Sequence, residues 1–149
     1  MIGKLNHSLP LLTNISAYGK AKLHKILMTT ARTVIGHYGF KWSCTKILNN
    51  CNWPNIDDMI KLSSLKLLHY IITNRSPTNI FNKMKIPKRN TSEITLKAIP
   101  QTKLSRNFFL YKQLKNYNCL PNQIKSLNKE KFKFHSKYFL MKNKKHKLM

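Results

Sequence analysis

Between Trp53-Pro54 and Ser76-Pro77 lies IDDMIKLSSLKLLHYIITN, residues 56–74, the longest and most apolar stretch of helical period in the chain. Asn55 stands where an N-cap is needed, and Asp57 and Asp58 fall in the first turn, where carboxylates favour the helix dipole. Ile60, Leu67, Leu68, Ile71 and Ile72 are the residues expected to supply core.

The flanking segments are mostly helical in pattern. AYGKAKLHKILMTTARTVIG (17–36) places Leu23, Ile26, Leu27, Thr30 and Val34 on one side, with Lys25 and Arg32 opposite, and ends at Gly36, suited to a left-handed stop. SCTKILNNCNW (43–53) reads as a short helix entered at Ser43 and broken by Trp53-Pro54. Ser76 is read as the cap of another short helix, with Pro77 at its first position and Ile80 and Phe81 within it. KIPKRNTSEITLKAIPQTK (85–103) changes character, and SEITLKAI alternates weakly, so an extended segment or strand is expected there. A helix returns over 104–118, with Leu110, Tyr111, Leu114 and Tyr117 on one face and Lys112 and Lys115 on the other. Leu120-Pro121 ends it, and a helical turn follows around Gln123–Leu127. Asn128 caps a last helix over about 129–142, in which Phe134, Tyr138 and Met141 share one spacing and Phe132 pairs with Phe139.

The fold class that follows is mainly α: a small helical domain with one short extended or β segment between helices. Residues 1–16 read as irregular, 17–142 as one helical basic domain, and 143–149 as a basic tail. No Gly/Ser linker and no fixed-period repeat divides it. With 149 residues, 42% of them hydrophobic, the chain is long enough for a core and too apolar for the disordered class.

Charge narrows the function. Lys and Arg number 28 against four Asp and Glu, a formal net charge of +24, spread along the whole length. Such an excess repels itself until a polyanion neutralises it, and nucleic acid does so through phosphate contacts and counterion release. AT-rich codons account for part of the Lys, Asn and Ile content; they do not account for the scarcity of Asp and Glu. Phosphate contacts are expected from Lys25, Arg32, Lys41, Arg75, Lys88, Arg89, Arg106 and Lys112. The basic segment Lys83–Lys103, with Lys85, Lys88, Arg89 and Lys97, is the preferred backbone-binding stretch. Rings near such cations can stack on bases. Trp42, Trp53 and Tyr38, in connections, are the open candidates, whereas Phe108, Leu110, Tyr117 and Phe132 read as core.

Chemistry is hard to place. Two-metal phosphoryl transfer needs converging carboxylates, and the adjacent Asp57 and Asp58 point about 100° apart on a helix. Glu93 and Glu130 are isolated. The six histidines form no H-x-x-x-H or H-E-x-x-H, and His24 and His69 read as packed or surface residues within helices. Walker A, G-x-S-x-G and G-x-G-x-x-G patterns are absent. Cys44, Cys51 and Cys119 form no C-x-x-C; Cys44 and Cys51, seven apart, read as buried apolar residues, which fits a reduced, intracellular setting, nuclear or cytoplasmic. The expectation is a chain with no active site, no metal and no cofactor of its own. No segment approaches ~18 uninterrupted apolar residues, so no membrane span is expected. The first residues are too short and polar for a secretory signal and lack the Arg- and Ser-rich character of a mitochondrial presequence.

YNCLPNQIKSLNKEKFKFHSKYF resembles the C-terminal region of non-LTR (LINE-type, jockey-like) retrotransposon reverse transcriptases. Those chains often close with W/Y-N-x-L-P-x-x-I, a spacer, then F-K-x-x-L-K-x-Y. Tyr117, Asn118, Leu120, Pro121 and Ile124 match the first part, and Phe132, Lys133, Lys137 and Tyr138 the second. Upstream, Lys22, Leu23, Ala31, Arg32 and Gly36 resemble the helix that follows the polymerase thumb. The ILNNCNW stretch resembles the L-x-x-x-x-W segment after it, and His69 and Pro77 match a further one. The order holds over about 17–140. The Tyr-x-Asp-Asp palm turn, the endonuclease carboxylates and the zinc knuckle of some relatives are absent. The resemblance therefore implies a non-catalytic, post-polymerase segment of an RNA-directed DNA polymerase. Its basic helices would grip template RNA or target DNA, with the missing polymerase part as a further partner. Two other readings stay open: a stand-alone basic nucleic-acid-binding protein of ribosomal or viral packaging type, and an enzyme with Cys44 or Cys119 as nucleophile, which would need a partnered histidine.

Overall fold

The computed structural model describes residues 9–36, 42–87, 93–98, 101–102 and 109–145. Helix α1 spans Ala17–Ile35, α2 Cys44–Asn50, α3 Ile56–Asn74, α4 Thr78–Phe81, α5 Phe109–Asn118, α6 Asn122–Lys125 and α7 Lys129–Lys145. Two short strands, β1 (Met84–Lys85) and β2 (Thr95–Leu96), pair antiparallel with Met84 opposite Leu96 and Lys85 opposite Thr95. Among the described residues the protein is thus a mainly α fold with a small β-ribbon, as its patterns indicate.

Local signals set most helix ends. Ser16, Ser43, Asn55 and Asn128 each accept a backbone N–H from three residues on. At Gly36 the backbone turns left-handed with φ 69°, and its N–H returns to the carbonyls of Arg32 and Thr33, closing α1. Asn55→Ala, which removes the oxygen held 2.9 Å from the Asp58 N–H, is expected to lower stability by about 1 kcal/mol. A urea titration measures it.

Helix α3 is the spine. Leu65, Leu68 and Ile71 join Met84 from β1, Leu110, Leu114 and Tyr117 from α5, Leu120, and Phe132 from α7 in the main apolar cluster. Leu67 and Ile72 pack on it half-buried. A second cluster binds α1 to α2 through Leu27, Met28, Ala31, Ile47 and Leu48. A third sets Leu9 against Ile56 and Ile60, and Met59 touches both the second and the third. Ser63 and Ser64 are buried on α3. Thr13 donates its hydroxyl proton to the Pro10 carbonyl at 2.7 Å, which leaves its oxygen to accept from Ser64 at 3.4 Å.

Several expectations are corrected. The first 16 residues are not irregular throughout: Leu9–Asn14 form a 3-10 helix against α3, and Leu9 is fully buried. Ile26 and Val34 face solvent at 46% and 63% exposure. The buried stripe of α1 is Leu27, Met28 and Ala31, because that is the side on which α2 docks. On α5, Tyr111 is exposed and Gln113 takes the fourth buried place. On α7, Phe134 and Tyr138 face solvent at 70% and 63%, while Phe132 and Ser136 are buried and Phe139 packs behind them. Ser76 does not cap α4; Pro77 holds that position, with no side-chain capping bond. Helix α7 continues past 142 to Lys145, so the tail begins later than its composition indicates. Helix 104–118 is seen from 109, and Phe108, Arg106 and Tyr38 lie outside the described residues.

Candidate nucleic-acid interface

The β-ribbon and α5 enclose a groove of about 700 Å³. One wall carries Lys85 and Lys97 from the ribbon, the other Lys115 and Tyr111 from α5. The ribbon wall is held by backbone pairing, and a side chain ties it to α5. The Lys97 N–H donates to the Lys83 carbonyl at 2.9 Å. At the end of α5 the Asn118 side chain reaches across. Its Nδ2 donates to the Ile94 carbonyl at 2.9 Å, and its Oδ1 accepts the Ile94 N–H at 3.2 Å. An amide matching both backbone groups of one residue holds the ribbon in register with the helix. The Lys125 ammonium donates to the Asn118 carbonyl at 3.0 Å and occupies a helix end that favours cations.

Three ammonium groups with one ring among the lining residues can follow a phosphate backbone while a base stacks. Glu93 also lines the groove and leaves it a net positive wall. Tyr111 is available because Leu110, Gln113, Leu114 and Tyr117 are the residues turned inward. Further rings stand open on the surface: Tyr18 and Tyr70, and Phe134 with Tyr138 one turn apart on α7. Lys22 sits 4.6 Å from the Tyr18 ring centroid and Lys129 5.8 Å from that of Tyr70.

Of the residues expected to hold phosphate, Lys25, Arg75 and Lys112 are exposed and Arg32 is half-buried. Arg75 closes α3 in a left-handed conformation, φ 53°. None of the four lines the groove. Lys41, Lys88, Arg89 and Arg106 lie outside the described residues. Lys85 and Lys97, from the preferred basic stretch, do line it, and Lys115 and Tyr111 join them only through the fold. Trp42 and Trp53, expected as open stacking rings, are partly buried against the apolar cluster that joins α1 to α2. Lys46 lies over the Trp42 ring at 4.8 Å.

His69 is a buried structural group. Its Nε2 lies 3.0 Å from the Leu127 carbonyl, so that nitrogen carries the proton and donates. Its Nδ1, 3.1 Å from the Tyr117 oxygen, therefore accepts from the phenol. The ring stacks parallel on Phe132 with centroids 3.9 Å apart. Burial lowers the His69 pKa, opposed by the smaller effect of the Leu127 carbonyl, and burial pushes that of Tyr117 up to about 12.

The three cysteines are free thiols. Cys44 is exposed at the start of α2, not buried as its spacing implies; Cys51 is half-buried, 3.7 Å from the Ala31 carbonyl. Among the described residues no helix is long and apolar enough to cross a membrane. Comparisons with protein-family models, curated proteins and solved structures found no match to this chain.

Proposed function

We propose that this chain is a non-catalytic helical module that holds nucleic acid by its phosphates. In this reading it is the post-polymerase segment of a non-LTR retroelement reverse transcriptase, gripping template RNA or target DNA beside the polymerase part of the same element. The observation that carries it is the lysine-walled groove lined also by Tyr111, set in a chain whose four carboxylates can neutralise at most four of 28 cations. Asp57 is already held by Lys20 at 2.8 Å and Asp58 is buried. The remaining positive charge needs a polyanion. The retroelement half is supported by the packing of the residues that carry the resemblance: His69, Tyr117, Leu120 and Phe132 share the main core, and Asn118 ties the ribbon to α5. The exposed thiols of Cys44 and Cys119 fit a reducing intracellular compartment.

Binding of single-stranded RNA and of duplex DNA, measured across salt concentrations, tests the interface. The logarithm of the binding constant should fall linearly with the logarithm of salt, with a slope of about −0.7 per phosphate held on a single strand and about −0.9 on a duplex. A flat dependence, or no binding at low salt, would sink the reading. The transcript upstream of the Met1 codon tests the retroelement half. A continuous frame encoding a Tyr-x-Asp-Asp palm supports it, and an untranslated leader with its own promoter argues against it.

A further inference from the structure

A second cleft, of about 190 Å³, opens between α3 and α7. Lys66 of α3 and Lys133 and Lys137 of α7 line it together with Asn52, Trp53 and Ser63. Lys133 and Lys137 are one turn apart, so both stems rise from the same side of α7. The Lys137 ammonium lies 3.5 Å from the carbonyl of Asn52, another residue that lines the cleft. Met59, Leu62 and the Trp53 ring supply an apolar floor. Among the described residues no carboxylate lines the space.

Three ammonium groups around one small cleft repel each other, and the partly buried floor strengthens that repulsion. The cost is visible at Lys66, whose pKa is lowered first by burial and then by Lys133 and Lys137. A bound anion adds an attraction to each of the three ammonium groups and so offsets their mutual repulsion. The cleft is smaller than the ~300–1,000 Å³ pockets that enclose whole ligands, so it suits one group of a larger molecule. Ser63 and Asn52 add neutral polar atoms beside the charges.

We propose that Lys66, Lys133 and Lys137 form a phosphate site, filled by one phosphate of a nucleic-acid backbone or by a free phosphate. The site deepens the nucleic-acid reading and rests on it for the backbone source. No single segment of the sequence announces it, because its lysines come from two helices 67 residues apart at their nearest (Lys66 to Lys133).

Inorganic phosphate is titrated into the full chain against sodium chloride at matched ionic strength, following thermal unfolding and Trp fluorescence. Phosphate should raise the melting temperature beyond the chloride control. Lys66→Gln and Lys133→Gln should each weaken the phosphate response about tenfold. Lys61→Gln, the same charge loss at an exposed site of α3, should leave it intact. Lys66→Gln relieves repulsion, so it should fold at least as well as the parent without phosphate. An equal phosphate response in Lys133→Gln and Lys61→Gln would overturn the site. A single-stranded RNA bearing a 5′-hydroxyl is the second probe. If it competes with phosphate for the wild type, the backbone fills the cleft; if only inorganic phosphate responds, the source is free phosphate, and either result supports the site. A phosphate response without salt-dependent RNA binding rejects the nucleic-acid interface alone, and RNA binding without a phosphate response rejects the cleft alone.

Discussion

Phe132→Ala is expected to lower the unfolding free energy by about 3–5 kcal/mol. Phe132 is 1% exposed and lies where three helices meet. Its ring stacks on His69, and the Tyr117 ring lies 6.1 Å away at 29°. Alanine removes the apolar area and leaves a void beside His69 of α3 and Tyr117 of α5, which are anchored on separate helices and cannot both move in. Small domains have about 5–15 kcal/mol of stability, so most of it would go. Phe134→Ala, two residues on and 70% exposed, should change stability by no more than about 0.5 kcal/mol. Urea unfolding followed by circular dichroism compares the two. Equal losses would mean that α7 docks by a different face.

The second large effect is on the His69–Tyr117 pair. Tyr117→Phe removes the proton that His69 Nδ1 accepts and leaves a buried acceptor unsatisfied, at a cost of about 1–3 kcal/mol at neutral pH. The same pair sets a pH profile. The folded state holds His69 neutral with its pKa lowered from 6.5, so the unfolded chain binds the proton first as pH falls. Stability is complete above about pH 6.5 and is lost as pH drops from there through the folded value. His69→Leu should flatten this acid limb. At the alkaline end Tyr117 stays protonated up to about 12 while an unfolded tyrosine ionises near 10, so its contribution falls between those values. Lys66 acts in the opposite sense there: its lowered pKa means that stability rises with pH up to about 10.5. The difference between wild type and Tyr117→Phe isolates the tyrosine. An acid limb that survives unchanged in His69→Leu would show that another group carries it.

Caps and breaks were legible because they are local. A Ser or Asn oxygen reaches an N–H three residues away whatever surrounds it, and so Ser43, Asn55 and Asn128 declare three helix starts. Gly36 declares an end for the same reason. The helix faces were less legible. Helix α1 has apolar residues around much of its girth, and periodicity alone favours Ile26 and Val34 as readily as Met28 and Ala31. On α7, Phe134 with Tyr138 and Phe132 with Phe139 are both good helical spacings.

By itself, then, the sequence determined the helical class, the long apolar helix over residues 56–74, most helix boundaries and a net charge of +24. All of these follow from backbone preference, short-range hydrogen bonds or summed charge. Only the tertiary structure decided which side of α1 and α7 is buried, that His69 meets Tyr117 and Phe132, and that Lys115 and Tyr111 face Lys85 and Lys97 across one groove. It also gathered Lys66, Lys133 and Lys137. Each of those outcomes depends on the angle and register at which one helix docks on another. That is set by the fit of many side chains at once, and no short window of residues contains it.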